Sequence, residues 1–311
     1  MTIHASPYSL LETLCARPFS TAQATAVGID RHELAHLVAN RVLRRVLTGV
    51  YVRSALPDTV EVRLQAASLI LGPFVVACDR TASWMLGVDT FQYRELEILP
   101  PLELRTLPGH NRVRRAGCSG GVRDLDAMDI VEVAGVKMTK PARTALDLAC
   151  KLGRRDSLAA LDGFMRGHGL THAELQSKLA AQYVRRRGVV QARELVALAD
   201  PLAESPGESW TRLELIDHGL PTPRLQHWVQ VDGRPTFRLD MAYPKHKIAI
   251  EYDGREFHEG EERRRNDQVR RRWLLDHGWI VIVVTKDDFA SDALDGWIDD
   301  VRVALRLAAR A

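Results

Sequence analysis

Residues 248–258 read IAIEYDGREFH. The run opens as a buried strand and then turns acidic. A strand sends successive side chains to opposite faces. Ile248, Ile250 and Tyr252 therefore share one face, and Ala249, Glu251 and Asp253 share the other. Two carboxylates on one side of a core-type strand have two readings. They form a metal site, or they mark a face that is simply wet.

The preceding run, TFRLDMAYP (236–244), narrows the choice. Its alternation puts Phe237, Leu239 and Met241 on one face and Asp240 with Arg238 on the other. Residues two apart on a strand stand about 7 Å apart, and paired strands lie about 4.8 Å apart. Asp240, Glu251 and Asp253 converge on one ion if the register aligns them. Hard oxygen ligands of this kind suit Mg²⁺. Such an ion polarises a phosphate and activates a water. Gly254 ends the strand. His258, with a side chain that titrates near neutrality, suits proton transfer or a phosphate contact.

Around these strands the order expected over 208–311 is helix, strand, strand, helix, strand, helix. Glu208 opens the helix ESWTRLELIDHGL, which Gly219 stops. The run EERRRNDQVRRRWLLDHGW (261–279) reads as a helix with Val269 and Trp273 on the sheet. Its arginines, Arg264 and Arg271 among them, either meet phosphates or pair with neighbouring acids. WIVIVVT (279–285) has the continuous apolar pattern of a central strand.

Together, Glu208, Arg238 with Asp240, Glu251-Tyr252-Asp253-Gly254, His258, Asp267 with Arg271, and Gly278-Trp279 resemble a nuclease-like domain family over about residues 204–290. That family is related to the very short patch repair endonucleases of the PD-(D/E)XK superfamily. The resemblance implies a restriction-endonuclease-like α/β/α core. It implies Mg²⁺ held by Asp240, Glu251 and Asp253, with Glu208 in support and His258 as acid/base or phosphate contact. The sequence departs from the superfamily at Asp253, where a lysine is usual, which leaves the general base open.

Near the N-terminus, FSTAQATAVGIDRHELAHLVANRVLRRVLTGVYV (19–52) has its own logic. Ser20 and Asp30 are N-caps for two short helices, and Gly28 supplies the turn between them. Leu34, Leu37 and Val38 make the buried stripe of the second helix. A hairpin around Thr48-Gly49 comes next. Arg31, His32, His36 and Asn40 lie away from the stripe and suit base edges in a major groove. Arg44, Arg45 and Arg53 suit phosphates. The alternative is a helical cap with solvated charges. This stretch resembles the winged helix-turn-helix of the AbiEi-type antitoxins, repressors paired with a nucleotidyltransferase toxin, and the resemblance implies double-stranded DNA and a toxin as partners.

The expected organisation is an α+β and α/β multidomain chain. A winged helix-turn-helix occupies 1–56, an AbiEi-like mixed domain 57–200 and the nuclease-like domain 201–311. In the middle part, CDRTASWMLGV (78–88) reads as a helix. VKMTKPARTALDLACKLG (136–153) reads as a strand leading into a helix, with Ala145, Leu148 and Ala149 buried beside Leu146. PGHNRV and CSGGVRD read as breaks, and ADPLAESPGES (199–209) as a linker. The middle part has the look of a scaffold or dimerisation surface.

A net charge of +3 in 311 residues permits nucleic-acid binding without demonstrating it. Cys15, Cys78, Cys118 and Cys150 are far apart, with no CxxC, which argues against a zinc site. No apolar window is long enough to span a bilayer and no signal peptide is expected, so the chain reads as soluble and cytoplasmic. Two functions fit these features: a DNA-binding protein with a Mg²⁺-dependent endonuclease domain, or a non-catalytic repressor and antitoxin.

Overall fold

The computed structural model describes residues 16–90, 100–133, 135–254 and 261–310, except the side chains of 261–267 and 291. The architecture is mixed α and β, with three sheets and two units, Met1–Asp147 and Leu148–Ala311. Among the described residues no helix is long and apolar enough to cross a membrane.

In the first unit, β1 (Phe19–Ser20) leads into α1 (Thr21–Ala26), whose Ser20 cap is completed by Gln23 in a capping box. Gly28 takes φ +87° in the turn. Asp30 then caps α2 (Arg31–Ala39) by accepting from the Glu33 amide at 2.8 Å. β2 (Leu43–Leu47) and β3 (Val50–Arg53) form a hairpin and pair with β1 in the order β1-β3-β2. Phe19, Ala24, Ile29, Leu34, Leu37 and Leu43 fill the core between helices and sheet. Val38, expected in the buried stripe, is only partly covered.

Leu47 and Val50, at the far end of the hairpin, leave that core. They pack with Val60 and Leu64 of α3 (Val60–Ser68) and with Leu102. Residues 1–56 thus share a core with the residues after them, across the boundary expected at 56. The second sheet is built from β4 (Val75–Ala77), β5 (Leu102–Thr106), β6 (Cys118–Val122), β7 (Ile130–Val133) and β8 (Val136–Thr139), in the order β6-β5-β4-β8-β7. The stretch CSGGV, expected as a break, is β6. A Cβ on Gly120 would sit 1.9 Å from the Val113 carbonyl oxygen, so the glycine marks a close backbone approach rather than a strand end.

α4 (Asp79–Met85) and α5 (Pro141–Lys151) carry a buried ion network. Asp79, fully buried at φ +52°, accepts from Arg105 and Arg123. Arg123 also reaches Asp147, which pairs with Arg143, and Arg143 reaches Asp129. Arg143 and Asp147, expected to serve structure, do so as links in this chain.

The second unit contains α6 (Arg154–His168), α7 (His172–Gln182), α8 (Val189–Leu198) and α9 (Pro206–Asp217). Residues 199–209 are not a free linker. The Asp200 amide donates to Asp162 at 2.7 Å, Ala203 is fully buried, and Arg212 of α9 closes on Asp162 at 2.7 Å. The helices 154–198 therefore belong with the C-terminal sheet, not with the region expected to end at 200.

In that sheet β9 (Arg224–Val231), which was not expected from the sequence, pairs antiparallel with β10 (Arg234–Tyr243). β10 pairs antiparallel with β11 (Ile248–Asp253), and α10 (Glu261–Asp276) crosses over to β12 (Ile280–Thr285), parallel to β11. The strand order is β12-β11-β10-β9, so β12 stands at the end instead of in the expected central place. Its apolar run is explained by crossover pairing and by α11 (Ser291–Ala308), whose Ile298 and Val301 share a core with Val284. Leu274 and Trp273 of α10 face the other side of the sheet, whereas Val269, expected there, is exposed.

Candidate functional site

Three elements bring carboxylates together. Glu208 lies in the first turn of α9, where Ser205 caps the helix and donates its hydroxyl to Glu208 Oε1 at 2.9 Å. Oε2 accepts from the Glu204 amide at 3.0 Å and from Gln226 Nε2 at 2.9 Å. Gly207 is fixed by contact: a Cβ there would fall 2.0 Å from Cε1 of Tyr252. The start of α9 is thus pressed onto the end of β11.

Asp240 sits where the alternation of β10 breaks. Phe237 and Leu239 join the core on the α10 side of the sheet, while Met241 and Tyr243 join the opposite core. Met241 was expected to share the face of Leu239. The break falls opposite Gln226, which bends β9 with φ +48° between the pairs Leu239–His227 and Met241–Leu225. Asp240 Oδ2 accepts from the Tyr252 amide at 3.1 Å.

Glu251 shares the face of Ala249, as its period-2 position requires, and Ile248, Ile250 and Tyr252 take the other. It is only 4% exposed. Arg270 of α10 donates to both its oxygens, at 2.6 and 2.7 Å, and also to the Arg238 carbonyl at 3.3 Å. The Arg238 side chain forks onto Glu204 at 2.8 Å. Asp253 is half-buried, with Arg271 at 3.5 Å. His258 lies outside the described residues, as do the side chains of Arg264 and Asp267.

Burial pushes the carboxyls of Glu208, Asp240 and Glu251 above the usual carboxylate range. The negative charge of Asp240 adds to the rise at both Glu208 and Glu251, so the three act on one another. Arg270 opposes the rise at Asp240 and Glu251.

The donor set fits a hard divalent cation in chemistry. As placed, no three acidic, histidine or cysteine side chains among the described residues form a closed metal cage. Mg²⁺ does not require one, since it keeps several waters and takes one or two carboxylates. A second feature favours a polar guest. Gln226 Oε1 is buried without a hydrogen-bond partner among the described residues, which is costly for an acceptor. Neither Arg270 nor Gln226 was singled out in the sequence. The D-G turn after β9 was the available signal for Gln226. For Arg270 only its arginine-rich helix could be read.

In the first unit, Arg31, His32, His36 and Asn40 are exposed along α2 and its end, with Asn40 Nδ2 3.1 Å from the His36 ring nitrogens. Arg45 and Arg53 are exposed on the hairpin. Arg44, expected on phosphate, is turned inward: it donates to the carbonyls of Leu56 and Pro57 and lies 3.5 Å from Asp58. Arg271, expected at DNA, faces Asp253.

Residues 75–198 match the family described as AbiEi antitoxin C-terminal domain. Two uncharacterized proteins of Mycobacterium tuberculosis, from strains CDC 1551 / Oshkosh and H37Rv, are each 36% identical over 264 residues. The alignment covers 84% of this chain and 92% of theirs.

Proposed function

The chain belongs to the family of these mycobacterial proteins, and from that premise we propose a DNA-binding protein of a toxin–antitoxin or abortive-infection locus whose second unit is a Mg²⁺-dependent DNA endonuclease. The antitoxin-domain match over 75–198 supports the locus. The single observation that supports the nuclease is the meeting of Glu208, Asp240 and Glu251 on a helix–strand–strand–strand–helix–strand frame.

In this reading Asp240 and Glu251 hold the ion, with Asp253 at the rim. A Mg²⁺ bound there supplies Lewis-acid polarisation of a phosphodiester and a water of lowered pKa. Glu208, tied to Ser205 and Gln226, aims its charge at the same place and positions Asp240. Tyr252 and Gly207 lock the helix end to β11. His258 is the proposed acid/base or phosphate contact. Arg31, His32, His36, Asn40 and Arg45 would read duplex DNA, with Arg264 and Arg271 near the cleavage site.

The test is nicking of supercoiled plasmid with Mg²⁺ or Mn²⁺. Wild type should cut, and Asp240→Ala should lower the rate by about 100-fold or more while DNA affinity holds. Wild type that cuts no DNA with either ion overturns the nuclease.

A second reading rests on the antitoxin match alone. There the chain binds DNA and neutralises a toxin without catalysis. Rescue of cells from the toxin of its locus by Asp240→Ala, with no nicking by wild type, would favour it.

A further inference from the structure

We propose, on the metal reading above, that Arg270 is an internal cation holding the divalent ion's place at Glu251, so that metal loads only as the guanidinium leaves. Both oxygens of Glu251 are taken by the Arg270 fork. The same Nη1 donates to the Arg238 carbonyl, so the guanidinium bridges β10 and β11, the two strands that carry Asp240 and Glu251.

A bidentate guanidinium and a carboxylate make one of the strong charge-assisted contacts. Arginine cannot yield by losing its proton, so it can give way only by moving. It has room to do so: its side chain is 22% exposed, against 5% for Glu251. Without Arg270, Glu251 would be a buried charge lacking compensation, a state that a divalent ion relieves. Apo and loaded states therefore each supply one cation to the same carboxylate. The exchange suppresses metal affinity and guards an idle acidic site against stray ions. Arg270 acts on the ion through Glu251, as a positioning residue.

The measurement is Mn²⁺ binding to the full chain, read from the free-ion signal in electron paramagnetic resonance, with melting in EDTA and in Mn²⁺. Arg270→Met should bind one Mn²⁺ about tenfold tighter than wild type or better. Adding Glu251→Gln should abolish that gain. The Arg270→Met melting temperature should be low in EDTA and rise with Mn²⁺ by more than wild type does. If Arg270→Met is unfolded in EDTA, Arg270→Lys serves in its place, with a smaller gain in affinity. Equal affinity in wild type and the Arg270 variants, lost in Asp240→Asn, overturns the exchange and leaves the metal site standing. No Mn²⁺ binding by any of them overturns both.

Discussion

Asp240 is a half-buried carboxylate whose hydrogen-bonded partner is a backbone amide. Burial raises its folded-state pKa above the unfolded value. A carboxyl raised in this way contributes stability at low pH, where it is protonated in both states. That contribution is lost as pH rises through the folded pKa. Asp240→Asn keeps the shape and removes the charge. It should melt higher than wild type at neutral pH in EDTA, with the gap closing below about pH 4. A gap that is constant with pH, or a lower melting temperature at neutral pH, would refute this. Cys78 obeys a simpler rule. Burial pushes its thiol up to about 12, so at pH 8 only about one part in ten thousand is thiolate. Iodoacetamide should therefore modify Cys78 only after unfolding. Mass-spectrometric labelling of the native protein at this site would show the packing to be wrong.

α9 is held to the sheet and to α6 by contacts that differ in kind. Gly207→Ala would drive a methyl into the Tyr252 ring and should cost about 1–3 kcal/mol in denaturant unfolding. An unchanged midpoint would mean that the ring is not packed there. Arg212→Met strands Asp162, which is fully buried, and should cost about 3–5 kcal/mol. Exchanging Asp162 for leucine as well should recover most of that loss. A double variant as weak as the single would mean the pair itself, not the stranded charge, stabilises α9. These elements were unequally legible in the sequence. The caps at Ser20 and Asp30, the Gly28 turn and the hairpin at Thr48-Gly49 all arise from local chemistry, and the structure has them. β9 was signalled by Asp232-Gly233, whose positive φ values of +50° and +75° make a tight hairpin turn. Arg234 and Pro235 interrupt the alternation next to it and hid the strand. The glycines of β6 looked like a break because their role, a close backbone approach, is not local.

At the scale of the molecule, a winged-helix footprint predicts separate fates for neighbouring arginines. Arg45→Ala should weaken duplex binding and lower the slope of log affinity against log salt by about one. Arg44 ties the hairpin to Leu56, Pro57 and Asp58, so Arg44→Ala should act mainly on stability. Unchanged affinity and slope in Arg45→Ala would remove the hairpin from the DNA surface. The acidic face of β11 was readable from period-2 spacing, and Glu251 lies where that spacing put it. The guanidinium opposite was not readable, since Arg270 meets Glu251 across 19 residues through the packing of α10 on the sheet. The same holds for the ion network from Arg105 to Asp129, assembled from five separate segments.

Whether Asp240 and Glu251 form a divalent-metal site is tested most directly by anomalous scattering from crystals soaked in Mn²⁺. The predicted result is a peak bonded to both carboxylates, with the Arg270 guanidinium moved off Glu251. No peak there at saturating Mn²⁺, with Arg270 still forked onto Glu251, would contradict it.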